Sequence, residues 1–202
     1  MAQAEATQHG AHPTSTGLSH AKIAVWTFLA SECLLFGALI STFLLYRSRS
    51  LSGPTPSRHT YDIAYTSVSS FILLMSSLTM VLALAAMQRG DPERMRVWLM
   101  ATALLGMAFI SGQVYEFTRF VQEGLTIKTN VFGSSFFLLT GFHGAHVTVG
   151  ILMLLSLYFM SLDGRLPIER TETVELVGLY WHFVDIVWII IFTVVYLIPA
   201  GK

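Results

Sequence analysis

The side chains able to do chemistry in this chain are few, and they sit in stretches that are otherwise apolar. His143 and His146 stand three apart in Thr140-Gly-Phe-His-Gly-Ala-His-Val147, and His182 and Asp185 stand three apart in Trp181-His-Phe-Val-Asp-Ile-Val-Trp188. Glu32 in Leu29-Ala-Ser-Glu-Cys-Leu-Leu-Phe36 and Glu116 in Gly112-Gln-Val-Tyr-Glu-Phe117 complete the set. Residues three apart project from one face of a helix, so each pair could present two metal ligands or a proton-carrying couple. A metal site would need both pairs to converge, whereas histidine in a membrane bundle commonly hydrogen-bonds across helices. The second reading is adopted, and no metal is assigned. Haem held by His143 and His146 is disfavoured because axial ligands approach from opposite faces of the macrocycle. Asp185 is expected to pair with His182 or His146 so that both groups are satisfied without net charge.

The elements that must position these groups follow from composition. Hydrophobic residues make up 53% of the chain and charged residues 12%, with a mean hydropathy of +0.62. Uncharged or nearly uncharged stretches at about 23–46, 63–87, 97–119, 131–161 and 175–198 each reach the roughly 20 residues that a spanning helix requires. The expected fold is an all-α integral membrane protein, a bundle of five transmembrane helices over residues 23–202, after a polar tail over residues 1–22. That tail has no apolar core of the signal-peptide kind, so the first helix is expected to direct its own insertion. The runs are continuous and not alternating, which argues against a β-barrel.

Cys33 is the only cysteine, so an internal disulfide and a cysteine-based metal site are excluded. A formal net charge of zero leaves no basic footprint for nucleic acid. The turn-forming run between Arg47 and Asp62, Pro92 and Pro167 punctuate the loops, and no proline breaks a span. Lys and Arg divide six against six between the two faces, so charge leaves the orientation open.

Inside a span, an ionised carboxylate costs about 3 kcal/mol on insertion scales. Glu32 is therefore expected to be neutral or hydrogen-bonded by a neighbouring helix, either as a proton-relay or partner-contact carboxyl or as a packing acid. Glu116, beside Tyr115, lies near enough to a helix end to be an interfacial anchor. Trp181, Asp185 and Trp188 share one stripe, and the two tryptophans read as packing, lipid or partner contacts. Gly37 with Ser41, Ala108 with Gly112, and Gly141 with Ala145 form small-xxx-small steps of the kind that let helices approach closely. The second span offers Thr66, Ser69, Ser70, Ser76, Ser77 and Thr79 as uncharged hydroxyls.

From about Lys22 to Leu197 the chain resembles subunit III of the haem–copper terminal oxidases, in its five-helix bacterial form. The matching residues run in family order: Ser31-Glu32 with Leu35-Phe36, Gly90-Asp91, Gln113 with Tyr115-Glu116, Gly133-Ser134 and Phe136-Phe137. The two histidine-bearing motifs quoted at the outset complete the series. The resemblance implies an accessory subunit without haem or copper of its own, those cofactors residing in partner subunits. It implies direct packing against subunit I, association with subunit II and the rest of the complex, bound phospholipid, and support of proton uptake and sustained turnover. Glu32 matches the family's buried carboxyl, which implies a role at the subunit I face. The intramembrane polar network would comprise Glu116, His143, His146, His182 and Asp185, with Arg165 and Arg170 as lipid or partner contacts. The implied location is the bacterial plasma membrane, N-terminus cytoplasmic and C-terminus outside.

The chain departs from the seven-helix form in lacking two preceding helices that form one arm of the lipid cleft. It also carries Leu84-Ala85 where the mitochondrial form has adjacent histidines. The leading expectation is subunit III of a cytochrome c oxidase. The alternatives are subunit III of a quinol oxidase, the related accessory subunit of a nitric oxide reductase, and an independent transporter using Glu32, His143, His146 and Asp185 as a relay.

Overall fold

The computed structural model describes residues 17–47, 63–128 and 130–198. Most of the polar tail and of the turn-forming run after Arg47 therefore lies outside the described residues. The elements are α1 (His20–Arg47), α2 (Ile63–Gln88), α3 (Pro92–Gln122), α4 (Val131–Leu162) and α5 (Thr171–Phe192). A 3₁₀ turn at Ile168–Arg170 precedes α5, and a π-helical turn at Thr193–Leu197 extends it. All five helical rods are long and apolar enough to cross a membrane.

The helices outrun their apolar windows because polar residues build their ends. The third helix starts at Pro92 and not near residue 97, since the Asp91 side chain accepts from the Arg94 N–H at 3.0 Å and proline is preorganised for the first position. Asn130 caps α4 in the same way, its Oδ1 accepting from the Gly133 N–H at 2.6 Å. The α2–α3 turn closes on Gly90, whose φ of 73° suits glycine. There the Asp91 N–H reaches back to the Ala86 carbonyl at 3.0 Å, which satisfies one of the helix's last acceptors.

Helices α2, α3, α4 and α5 form a closed ring, each packed on its two neighbours. The first helix lies outside that ring, against α4 and α5. Only 11% of its most apolar window is buried, compared with 33–44% for the other four, so α1 is peripheral within this chain. Its buried residues are Leu29, Phe36 and Phe43, spaced by seven, a seam one side chain wide. Polar contacts hold both ends to the parallel α5. Ser19 bonds Glu172, and Lys22 Nζ pairs with Glu175 at 3.0 Å. At the other end the Arg47 guanidinium donates to the Val194 carbonyl at 2.5 Å and also to the Ile198 carbonyl. Those carbonyls lie in and just beyond the π turn, where a helix end leaves acceptors without intrahelical donors.

The centre of the ring is Trp181, which is fully buried. Its Nε1–H donates to Ser76 Oγ on α2 at 3.0 Å. A Cβ on Gly106 of α3 would stand 2.7 Å from the indole, and one on Gly150 of α4 would stand 2.7 Å from it as well. The close helix approaches are therefore at Gly106 and Gly150, with Gly178 against Met80 and Gly112 against Ser69 and Tyr65. Gly37 and Gly141 have nothing within 4 Å of a built Cβ, so the steps expected at Gly37–Ser41 and Gly141–Ala145 are not helix contacts in this chain. Trp181 and Trp188 are likewise not lipid or partner contacts: both are buried, and Trp188 Nε1–H donates to Ser70 Oγ at 2.9 Å. Asp185 shares their stripe, and the stripe faces inward.

Gly106→Ala and Gly150→Ala should each destabilise the bundle by about 1–3 kcal/mol, the usual cost of overpacking. Gly37→Ala and Gly141→Ala should be close to neutral for the isolated chain. Thermal unfolding in detergent, followed by near-ultraviolet circular dichroism of the tryptophans, checks the contrast.

Candidate functional site

The polar groups singled out in the sequence fall into separate clusters. At the seam of α1 and α4, His146 Nε2 lies 3.0 Å from Glu32 Oε2. His146 Nδ1 lies 2.8 Å from the Phe142 carbonyl, four residues back on its own helix. A carbonyl can only accept, so Nδ1 carries a proton, and the second nitrogen must meet Glu32 either as a lone pair facing a carboxylic acid or as an imidazolium facing a carboxylate. In both states the couple holds one shared proton and no net charge. The side chains keep only 13% (Glu32) and 16% (His146) of their surface, so α1 reaches this depth of the membrane with its charge compensated. Phe36 packs its ring edge-on to His146 at 5.0 Å, and Tyr180 donates to the His146 carbonyl at 3.0 Å.

The partners expected of Asp185 are engaged elsewhere. His146 is held by Glu32, and His182 Nδ1 lies 2.6 Å from Ser77 Oγ of α2. Neither expected pairing with Asp185 forms, and both of its oxygens are buried without a hydrogen-bond partner. The reason is geometric. The hydroxyl of Ser77 on α2 takes the His182 imidazole, and Glu32 on α1 takes His146.

His143 is fully buried, and neither ring nitrogen has a partner. Its ring stacks on Trp188 at 4.9 Å and meets the edges of Phe109 and Phe36. It sits in an aromatic box and joins no hydrogen-bonded chain. Glu116 turns inward while Tyr115 beside it stays exposed. Thr66 donates to one Glu116 oxygen and Tyr196 to the other, each at 3.0 Å. Glu116 thus ties α3 to α2 and to the π turn of α5, which corrects its reading as an interfacial anchor. The five residues expected to form one network are therefore distributed over separate clusters. Among the described residues no three of His, Cys, Asp and Glu gather as a metal site, because His146 and His182 face different helices.

The hydroxyls of α2 prove central. Ser76 and Ser70 each donate to a carbonyl of their own helix while accepting from an indole. Thr79 meets Thr102 of α3 at 2.8 Å. Gln113, on the far side of α3, donates to the Thr140 carbonyl at 2.7 Å. Sequence reading registered the hydroxyls of α2 as available donors but not their partners, which only the pairing of helices supplies. Arg165 and Arg170 border a groove of about 490 Å³ with Met160, Gly164 and Pro167 at the α4–α5 connection.

A bundle of five spanning helices, joined across helices by buried hydroxyl, indole, imidazole and carboxyl groups, defines a polytopic membrane protein. The sequence matches the cytochrome c oxidase subunit III family over residues 2–199, and the chain belongs to that family. It is similar to cytochrome c oxidase subunit 3 of Bacillus subtilis (strain 168), 39% identical over 85% of this chain and 83% of the relative. It is also similar to quinol oxidase subunit 3 of the same strain, 36% identical over 87% of this chain and 86% of the relative. Cytochrome c oxidase subunit 3 of Alkalihalophilus pseudofirmus is 37% identical over 95% of this chain and 98% of the relative. The family is one of subunits of a multi-subunit haem–copper terminal oxidase.

Since His146 Nε2 requires a partner, Glu32→Gln should be tolerated and Glu32→Leu should cost about 1–3 kcal/mol, the penalty of an orphaned buried polar group. Thermal stability of the purified variants checks the order. A membrane-soluble carbodiimide should modify Glu32 at neutral pH if the shared proton rests on the carboxyl, and mass spectrometry of the labelled peptide reads this directly.

Proposed function

We propose that this chain is a non-redox accessory subunit that packs directly on the catalytic subunit I of an aerobic oxidase and sustains its turnover. The observation that carries this reading is α1. It is the least buried helix, and it presents the Glu32–His146 couple along a seam at the edge of the chain. In a bilayer such a couple is stabilised further by a covering helix, and subunit I is the proposed partner that covers it. Glu32 and His146 then act as a neutral polar contact near the route by which subunit I takes up protons. Haem and copper reside in the partner subunits, and no catalytic centre is assigned to this chain.

Phospholipid is held at the chain's periphery, with Arg165 and Arg170 meeting headgroup phosphate at one face. The chain spans the bacterial plasma membrane with its N-terminus in the cytoplasm and its C-terminus outside. Cytochrome c is the proposed electron donor. The relatives carry the names of both cytochrome c and quinol oxidases, so the donor is set as the variable of the test.

Affinity purification through a C-terminal tag in mild detergent should bring down haem, seen in the visible spectrum, and oxygen uptake with reduced cytochrome c. Uptake with quinol alone would reassign the donor. A haem-free chain that also fails to cross-link to any oxidase subunit in intact membranes would overturn the reading. In the active complex, Glu32→Leu should leave initial rates nearly intact and shorten the lifetime of turnover.

A further inference from the structure

The flank of α1 turned toward α2 borders a recess that the Glu32–His146 couple does not reach. Helix α1 packs on α4 and α5, and α2 packs on α3 and α5, so a slot remains between α1 and α2 with α5 as its floor. The cleft there measures about 180 Å³ and is walled by Trp26 of α1 and by Met80, Val81 and Leu84 of α2. A cavity of roughly 150 Å³ takes one benzene ring, so this one admits a single substituted six-membered ring. Its aqueous end is marked by the Lys22–Glu175 ion pair, 3.0 Å apart and partly exposed where α1 and α5 begin. His182 lies on the floor seven residues beyond Glu175, roughly 10 Å deeper at 1.5 Å per residue.

The hydrogen bonding of His182 fixes what that floor offers. Its Nδ1 lies 2.6 Å from Ser77 Oγ, and neither residue has another hydrogen-bond partner among the described residues. Were Nδ1–H the donor, both the hydroxyl proton of Ser77 and the Nε2 lone pair would go unmet. With the Ser77 hydroxyl donating to Nδ1, only the Nε2–H remains, so this tautomer leaves fewer polar groups unpaired. Unlike the nitrogens of His143, Nε2 is not sealed and keeps accessible surface. An N–H donor thus stands between apolar walls at a depth where lipid tails offer no acceptor.

We propose that the α1–α2 cleft binds the ring of an isoprenoid quinone in its oxidised form, one ring carbonyl accepting from His182 Nε2–H and the tail leaving sideways into the bilayer. The chemistry of the cleft selects this class. The ring matches the volume, its electron-poor face stacks on the Trp26 indole, and its carbonyl supplies the missing acceptor. Being uncharged, it enters hydrocarbon without the cost that a charged head would carry. A phospholipid fails here, because its ester carbonyls stay beside the headgroup at the interface, near Lys22 and Glu175, and only methylenes would reach His182. The quinone is held and not converted, so no electron transfer is assigned to the cleft. The proposal does not rest on the oxidase reading.

The test is photolabelling of membranes containing the intact assembly with an azido-benzoquinone that bears a short alkyl tail, followed by mass spectrometry of the labelled peptides. Saturable labelling is expected on α1 around Trp26 and on α2 around Val81 and Leu84, with protection by excess decyl-benzoquinone and none by added phosphatidylglycerol. His182→Phe, which removes the N–H, should cut this labelling about tenfold at subsaturating probe. Val81→Phe, which narrows the cleft from a half-exposed position and leaves His182 untouched, should do the same with thermal unfolding unchanged. Absence of saturable labelling at these positions, protection by phosphatidylglycerol as effective as by the quinone, or unchanged labelling in both variants would each overturn the proposal. None of these readouts needs oxidase activity, so failure here is distinguishable from failure of the oxidase assignment.

Discussion

The structure depends on the seating of one indole. Lipid tails are as apolar as leucine, so transmembrane helices gain little from hiding apolar surface against one another and associate through close packing and interhelical hydrogen bonds. Trp181 supplies both. Its ring fills the space that Gly106 of α3 and Gly150 of α4 leave by lacking side chains, and its N–H is fixed on Ser76 of α2. One side chain thereby sets the separation and rotation of four helices. Trp188, two turns along α5, repeats the anchor on Ser70, six residues back along the antiparallel α2, so the register of the two helices is defined twice.

Polar accounting explains much of the rest. A buried hydroxyl in hydrocarbon must find partners, and the serines of α2 do so by donating to their own helix while accepting from α5. Glu116 receives two hydroxyls, and Glu32 shares a proton with His146. Against that background, the unpartnered nitrogens of His143 and oxygens of Asp185 are exceptions. The His143 ring is at least packed on aromatic faces. The Asp185 carboxyl has no such compensation.

The first helix obeys a different rule. It contributes a seam one residue wide and is held to α5 by polar clasps at both ends, with Glu32 reaching α4 between them. A helix so held has most of its surface left for contacts outside the chain. This suits membership of a family whose members work as subunits of a larger oxidase.

The sequence alone determined what one-dimensional periodicity and length can encode. It specified five apolar spans, the loop punctuation at Pro92 and Pro167, the residues carrying family identity, and Glu32, His146, His182 and Asp185 as the groups worth attention. Spacing says which residues share a face of a helix, but not which helix that face will meet. His182 and Asp185 were legible as neighbours, yet only His182 finds a partner, Ser77 of α2. Gly37 and Gly141 carried the packing motif and lie open, while Gly106 and Gly150 carried no signal and receive the indole. Those outcomes were decided by tertiary structure, because close packing and hydrogen-bond pairing are properties of two surfaces brought together, and a single chain read in order displays only one of them at a time.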